Sequence, residues 1–409
     1  MGLSHFFSCP RAIERHHFGP LGVFQDGFCD WLMDKQYSKS IIYVYIPHIT
    51  HLSCFLHTQG LSHYQEIEKV HLDAYFAQSF PSFYLKMAHQ AYRRFLHYLK
   101  EQGIILVNPV QPIYQSLIDQ YCQWCKNYRH LSQASIELRS QYLSCFINKF
   151  GQQKFIDNLA QLTPHQIRTA FIHYSANKGV SWRRSMASTL RSFFQFCDKK
   201  GLTQRAISPA IPRISAYRLS TLPKGITEQD AETLLTAVDR ETKVGKRNYA
   251  ILRLLYDYGV RNAQIRTLRL QDIDWQNETL SFKALKFGNP LRVPLLDEVA
   301  YALIDYLQHG RPKSHFQEVF LTHNAPFHPF CQCKNIDSII LIQATQANLN
   351  LPSHGSHMFR HGFATRLVNQ EVPLKDIADL LGHKCIQTTA QYSKVDFVAL
   401  NNVPLEFPV

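Results

Sequence analysis

The sequence predicts a mainly α-helical protein with one small antiparallel β-sheet, arranged as two N-terminal helical domains followed by a larger C-terminal domain. Three observations carry that expectation. The 409 residues suit two to three domains at roughly 150 residues each. Two successive N-terminal segments repeat the same aromatic-rich amphipathic pattern. Strand-like alternation occurs in one short stretch alone, after residue 270. With 45% hydrophobic and 18% charged residues the chain can bury packed cores, which excludes a disordered protein.

The first domain is expected over residues 1–105 and the second over 106–207. His51-Leu-Ser-Cys-Phe-Leu-His-Thr-Gln-Gly60 lines up with Tyr142-Leu-Ser-Cys-Phe-Ile-Asn-Lys-Phe-Gly151. Phe95-Leu-His-Tyr-Leu-Lys-Glu-Gln-Gly103 lines up with Phe193-Phe-Gln-Phe-Cys-Asp-Lys-Lys-Gly201. Each segment reads as about four short amphipathic helices, the aligned ones ending at a glycine, so the second domain reads as a duplicate of the first. Two Pro-bearing polar stretches punctuate the chain: Val107–Pro112, and a linker over 208–225.

From Ile226 to Val409 the texture changes. Helical periodicity over Glu228–Val238 and Arg247–Tyr258 precedes Thr279–Lys286 and Leu291–Leu296, which read as a hairpin closed by Phe-Gly-Asn-Pro. Helices are expected again over Asp297–Gln308, Asn335–Asn348, Met358–Asn369 and Leu374–Leu381.

Charge is distributed unevenly. Residues 1–105 hold 9 basic and 8 acidic side chains, 106–225 hold 16 and 4, and 226–409 hold 19 and 19. Of the net +13, then, +12 sits in the middle block, as a polyphosphate-binding module requires. Arg183, Arg184 and Arg191 are the candidate phosphate contacts there, and Tyr92-Arg-Arg-Phe95 is a second aromatic-flanked basic pair in the neutral repeat. No apolar run approaches the ~18 residues needed to cross a bilayer. The first twenty residues lack the apolar core of a secretory signal, and ten cysteines are too sparse for a disulfide scaffold. A reduced, cytoplasmic chain is expected. Cys122-Gln-Trp-Cys125 and Cys331-Gln-Cys333 have no partner pair at zinc-ribbon spacing, so no metal site is expected.

Three stretches of the C-terminal domain hold residues unusual for their setting. Tyr258-Gly-Val-Arg261 sets an arginine just past a helix-ending glycine. Ser356–Thr365 sets His357, Arg360 and His361 at i, i+3 and i+4, on one helical face. Leu380-Leu-Gly-His-Lys384 is followed by Tyr392, nine residues after His383.

Together these motifs resemble the tyrosine recombinase (phage-integrase) family over roughly Ile226–Lys394, and Gln115–Gly201 resembles its SAM-like core-binding helical domain more loosely. The resemblance implies a DNA strand transferase that needs neither metal nor ATP nor any other cofactor. Tyr392 would attack the scissile phosphate to give a 3′-phosphotyrosyl link, with Arg261 and Arg360 clamping the phosphate oxygens. His383 would donate a hydrogen bond to the same phosphate, His357 would share that task or act as base, and His361 would support them. Lys286, before the hairpin turn, would be the acid for the 5′-oxygen; Lys283 is the alternative, and strand alternation keeps both from facing the site. One departure stands out, since Gln264 occupies a position where the family usually has a carboxylate. The implied partners are double-stranded DNA carrying a specific site and three further copies of the chain, as a homotetramer on paired sites. The apolar tail Ser393–Val409 would pack on a neighbouring subunit. The expected function is integration or transposition of a mobile element; a Xer-type resolvase and a catalytically impaired DNA-binding subunit are the alternatives.

Overall fold

The computed structural model describes residues 2–106, 112–215, 225–284, 290–330, 334–351, 353, 355–382 and 389. The chain folds as two compact units, residues 1–107 together with 221–409, and residues 108–220. It is mainly helical with one three-stranded antiparallel sheet, as the sequence predicts. No described helix is long and apolar enough to cross a membrane.

The N-terminal bundle contains α1 (Pro10–His16), α2 (Gln25–Asp34), α3 (Lys39–Thr58), α4 (Lys69–Phe76) and α5 (Ser82–Glu101). Helix α3 starts where Ser38 Oγ accepts the Ile41 N–H, and it buries Ile42, Tyr45, Ile46, Ile49, Leu52 and Leu56 at helical spacing. That stripe meets Ala88, Ala91, Phe95 and Leu99 of α5, where the two alanines let the helices approach closely. The middle unit contains α6 (Gln115–Arg129), α7 (Gln133–Phe150), α8 (Gln152–Asp157), α9 (Pro164–Ser175) and α10 (Val180–Lys199). Thr163 and Gln166 form a reciprocal cap at the head of α9, with Pro164 in the first turn. Phe146, Phe155, Phe171, Phe193 and Phe196 fill its core.

The helices are longer than the sequence suggests: α3 and α5 each run 20 residues, as does α10. Their bounds follow the sequence alignment, since Ser82–Glu101 shifted by 98 positions is Val180–Lys199. The linker expected from Ser208 also begins later. Ile207 and Ile211 are buried in the middle unit's core, so the chain through at least Ile211 belongs to that bundle.

The C-terminal domain is built around α12 (Lys243–Tyr258), which buries Ala250, Ile251, Leu252, Leu254 and Leu255. Before it comes α11 (Glu228–Thr236), and after it α13 (Asn262–Arg266), then β1 (Ile273–Asp274), β2 (Thr279–Phe282) and β3 (Leu291–Pro294). Next are α14 (Asp297–Asp305), a π-helical turn over Tyr306–Gly310, α15 (Lys334–Gln346), α16 (His357–Asn369) and α17 (Leu374–Leu380). The expected hairpin is β2–β3, in register Leu280↔Val293 and Phe282↔Leu291, with Leu280, Phe282 and Val293 facing the core. Strand β1 adds a third, unexpected member; two residues are too few to register as an alternating pattern. Tyr258 fastens the end of α12 to this sheet, donating its hydroxyl proton to the Pro294 carbonyl at 2.8 Å and accepting the Leu296 N–H at 3.0 Å.

Candidate functional site

The site forms where three chain turns meet. Helix α12 ends at Gly259, whose φ of 57° lies in the left-handed region. A side chain there would also collide with Phe363 of α16, 2.7 Å from the position of a Cβ. Gly259 is thus demanded twice, by conformation and by the approach of α16. Two residues on, Arg261 caps the short helix α13.

Arg360 joins the three turns. From the first turns of α16 its buried guanidinium donates through Nη1 to the Gly259 carbonyl at 3.0 Å, and through Nη2 to the Leu381 carbonyl at the end of α17. The next residue, Gly382, lies so close to Arg261 that a Cβ there would be 3.8 Å from Arg261 Nη1. Arg261, Arg360 and the residue preceding His383 therefore share one small region. His357 sits at the head of α16 on the solvent side. Its pKa is lowered by partial burial, then by Arg360 and Arg261, against a smaller upward pull from Asp337. His361, one turn on, is held down by burial, His357 and Arg360. Both imidazoles are thereby kept neutral near pH 7, able to accept as well as donate. Two guanidiniums beside neutral imidazoles suit an anion with several oxygens and a proton to be moved.

Gln264 is buried, and its Oε1 accepts the Arg261 backbone N–H at 2.9 Å. The side chain orients Arg261 through the backbone, a task an amide oxygen performs as well as a carboxylate. Gln264→Glu keeps the acceptor but buries a charge, so it is expected to lose about 1 kcal/mol or more in urea titration unless the carboxyl is protonated. Gln264→Leu should lose about 1–2 kcal/mol in urea titration through the orphaned N–H. Asp337 of α15 has a similar supporting part that its sequence context does not signal: Oδ1 accepts the Ser356 N–H at 3.0 Å, just before His357.

Lys286, His383 and Tyr392 lie outside the described residues. Lys283 is described and exposed, and β2 ends before it at Phe282, so the alternation argument for the two lysines does not extend past that point.

In the middle unit, Arg184 and Arg191 line a cleft of about 820 Å³ together with Arg129, Arg139 and Arg213. No Asp or Glu lines it among the described residues. Arg183, expected with them, does not, because it falls on another face of α10 than Arg184, Ser188, Arg191 and Gln195 at i, i+4, i+7 and i+11. Arg129, Arg139 and Arg213 come from three separate segments; the +12 charge signalled them as a group but not singly.

A fold of helical bundles with this arginine–histidine site defines a class already known. The phage integrase family profile matches residues 224–398. The integrase/recombinase y4rA of Sinorhizobium fredii (strain NGR234) is 28% identical over 414 residues, covering 99% of this chain and 99% of its own length. Tyrosine recombinase XerC of Staphylococcus haemolyticus is 30% identical, across 63% of this chain and 85% of its own length. Among solved structures, a lambda integrase (75–356) dimer bound to a COC′ core site superposes with a TM-score of 0.54 at 14% identity, covering 72% of this chain and 98% of that one. The chain belongs to the phage integrase family, and it is a tyrosine recombinase by kinship.

Proposed function

We propose that this protein cuts and rejoins double-stranded DNA at specific sites for the integration or transposition of a mobile element. Tyr392 Oη attacks the scissile phosphorus while its proton passes to a neutral acceptor, with His357 in that role. The bond to the 5′-oxygen breaks, Lys286 supplies that oxygen's proton, and a 3′-phosphotyrosyl link remains. Arg261, Arg360 and His383 carry the charge that builds on the non-bridging oxygens. The 5′-hydroxyl of another strand reverses the step, so the phosphoester energy is conserved in the protein–DNA bond. The acting species is a homotetramer on paired sites.

The observation that carries this reading is Arg360 bonded at once to Gly259 and Leu381, which ties the turn before Arg261 and the end of α17 to the helix that begins at His357. The alternative of an idle subunit rested on Gln264, and its bond to the Arg261 N–H favours an intact site. The end-to-end likeness to y4rA, N-terminal bundle included, favours an integrase over a housekeeping resolvase, since the XerC match takes in less of the chain. Covalent protein–DNA adducts on a nicked suicide duplex are the test.

The arginine cleft of the middle unit is the proposed seat of backbone phosphates, with Arg184 and Arg191 among them. A fragment of residues 106–225 has its own core and should bind random-sequence duplex with a steep salt dependence, log K falling by about 0.9 per phosphate engaged. A fragment of residues 1–105 should bind feebly at the same salt. Equal binding by the two fragments in fluorescence anisotropy would refute the charge argument.

A further inference from the structure

The reading above leaves Arg93 and Arg94 of α5 without a task. In the unit formed by residues 1–107 and 221–409 they line a cleft of about 750 Å³, together with Tyr37, Ser38 and the catalytic-domain residues His323 and Asn324. The segment around these last two is seated on the N-terminal bundle, Ala325 packing against its core.

The cleft is cationic. No carboxylate lines it, and neither arginine pairs with one, among the described residues. Arg94 lies beside the Tyr45 hydroxyl, while Arg93 is exposed. Ser38 caps the head of α3, so the cleft also lies at the positive dipole end of a 20-residue helix. Tyr37 is only 9% exposed, and its hydroxyl has no hydrogen-bond partner. Burial pushes that hydroxyl up to about 12, so it remains a donor. His323 Nε2 is likewise buried without a partner. A helix head and two guanidiniums border the same space.

We propose that this cleft binds backbone phosphates of duplex DNA through Arg93, Arg94 and the head of α3, as a contact separate from the recombination site and from the middle-unit cleft. Polymer rather than free phosphate is favoured by size, because the cavity is several times a single phosphate and Arg93 stands at its open edge. The repeat alignment points the same way: Arg93 shifted by 98 positions is Arg191, which lines the arginine cleft of the middle unit. Residues 1–105 alone lack His323 and Asn324, so the feeble binding expected of that fragment is consistent with a contact completed by the catalytic domain. The inference rests on DNA being the partner and not on the cutting step.

The test compares full-length parent with Arg93→Gln/Arg94→Gln on a fluorescein-labelled random-sequence duplex across a salt series. The variant should bind about tenfold more weakly at low salt, its log K–log salt slope flattened by about two. Arg93→Gln alone, at an exposed position that leaves the Tyr45 contact intact, should flatten it by about one. Parental affinity and slope in both variants would overturn the proposal. So would variants that bind DNA normally yet lose a stabilisation of the parent by inorganic phosphate, which would assign the cleft to a free anion. A parent that fails to bind duplex at all would refute the broader DNA reading instead.

Discussion

Tyr392→Phe is expected to bind duplex DNA as the parent does and to yield no covalent adduct on a nicked suicide substrate. The change keeps the aromatic ring and removes one oxygen, the proposed nucleophile, so binding and chemistry separate cleanly. Covalent catalysis without its nucleophile has no slower version of the same route, and adduct formation should fall at least about a thousandfold. Three other tyrosines of the domain are poorly fitted to take over. Tyr306 is 0% exposed, its oxygen accepts the Leu321 N–H, and burial raises its pKa, so it is neither reachable nor acidic. Tyr258 is spent on Pro294 and Leu296 at the sheet. Tyr301 is 69% exposed on α14, in a separate helical segment with no histidine nine residues before it. Gel-resolved adduct on the Tyr392→Phe protein would overturn the mechanism at its centre, not one residue's role.

Most of what periodicity can report was legible in this sequence. The expected Glu228–Val238 and Arg247–Tyr258 helices are Glu228–Thr236 and Lys243–Tyr258, because their buried faces recur at helical spacing. The expected Asp297–Gln308 helix instead turns π-helical at Tyr306, where the backbone widens around a buried ring; the apolar pattern is blind to that change. Motif spacing likewise signalled Arg261, His357 and Arg360, and the structure brings them together. It could not report how. Arg360 bonds to residues 101 and 21 positions away, and a contact of that range leaves no local period. Asp337 was invisible for the same reason, since it acts on a backbone N–H 19 residues downstream. That Arg183 stands apart from the cleft has a different origin. A basic pair in sequence was read as a unit, whereas Arg183 falls about 100° before Arg184 and so outside the stripe of α10 that lines the cleft.

Arg360→Ala should show two losses that measurement can separate. The first is structural. Its guanidinium is buried and satisfies the carbonyls of Gly259 and Leu381, so truncation strands two acceptors at about 1–3 kcal/mol each. Against a usual stability of about 5–15 kcal/mol that is a large share, and the melting temperature should fall by roughly 5–15 °C. The second loss is chemical. Well below the melting range, with the protein folded and still holding the nicked duplex, adduct formation should drop at least about a thousandfold, because a preorganised donor pair to the phosphate oxygens is gone. Arg360→Lys divides the two effects. An ammonium keeps the charge but cannot span two carbonyls in a planar fork, so it should recover part of the melting temperature while adduct formation stays about a hundredfold down. If Arg360→Ala melted with the parent and formed adduct within tenfold of its rate, Arg360 would be neither the fastener of the three turns nor the phosphate clamp. The same side chain is expected to do both because the geometry couples them. The bonds that draw Gly259 and Leu381 inward also fix the guanidinium beside Arg261, so the clamp is rigid before any phosphate arrives.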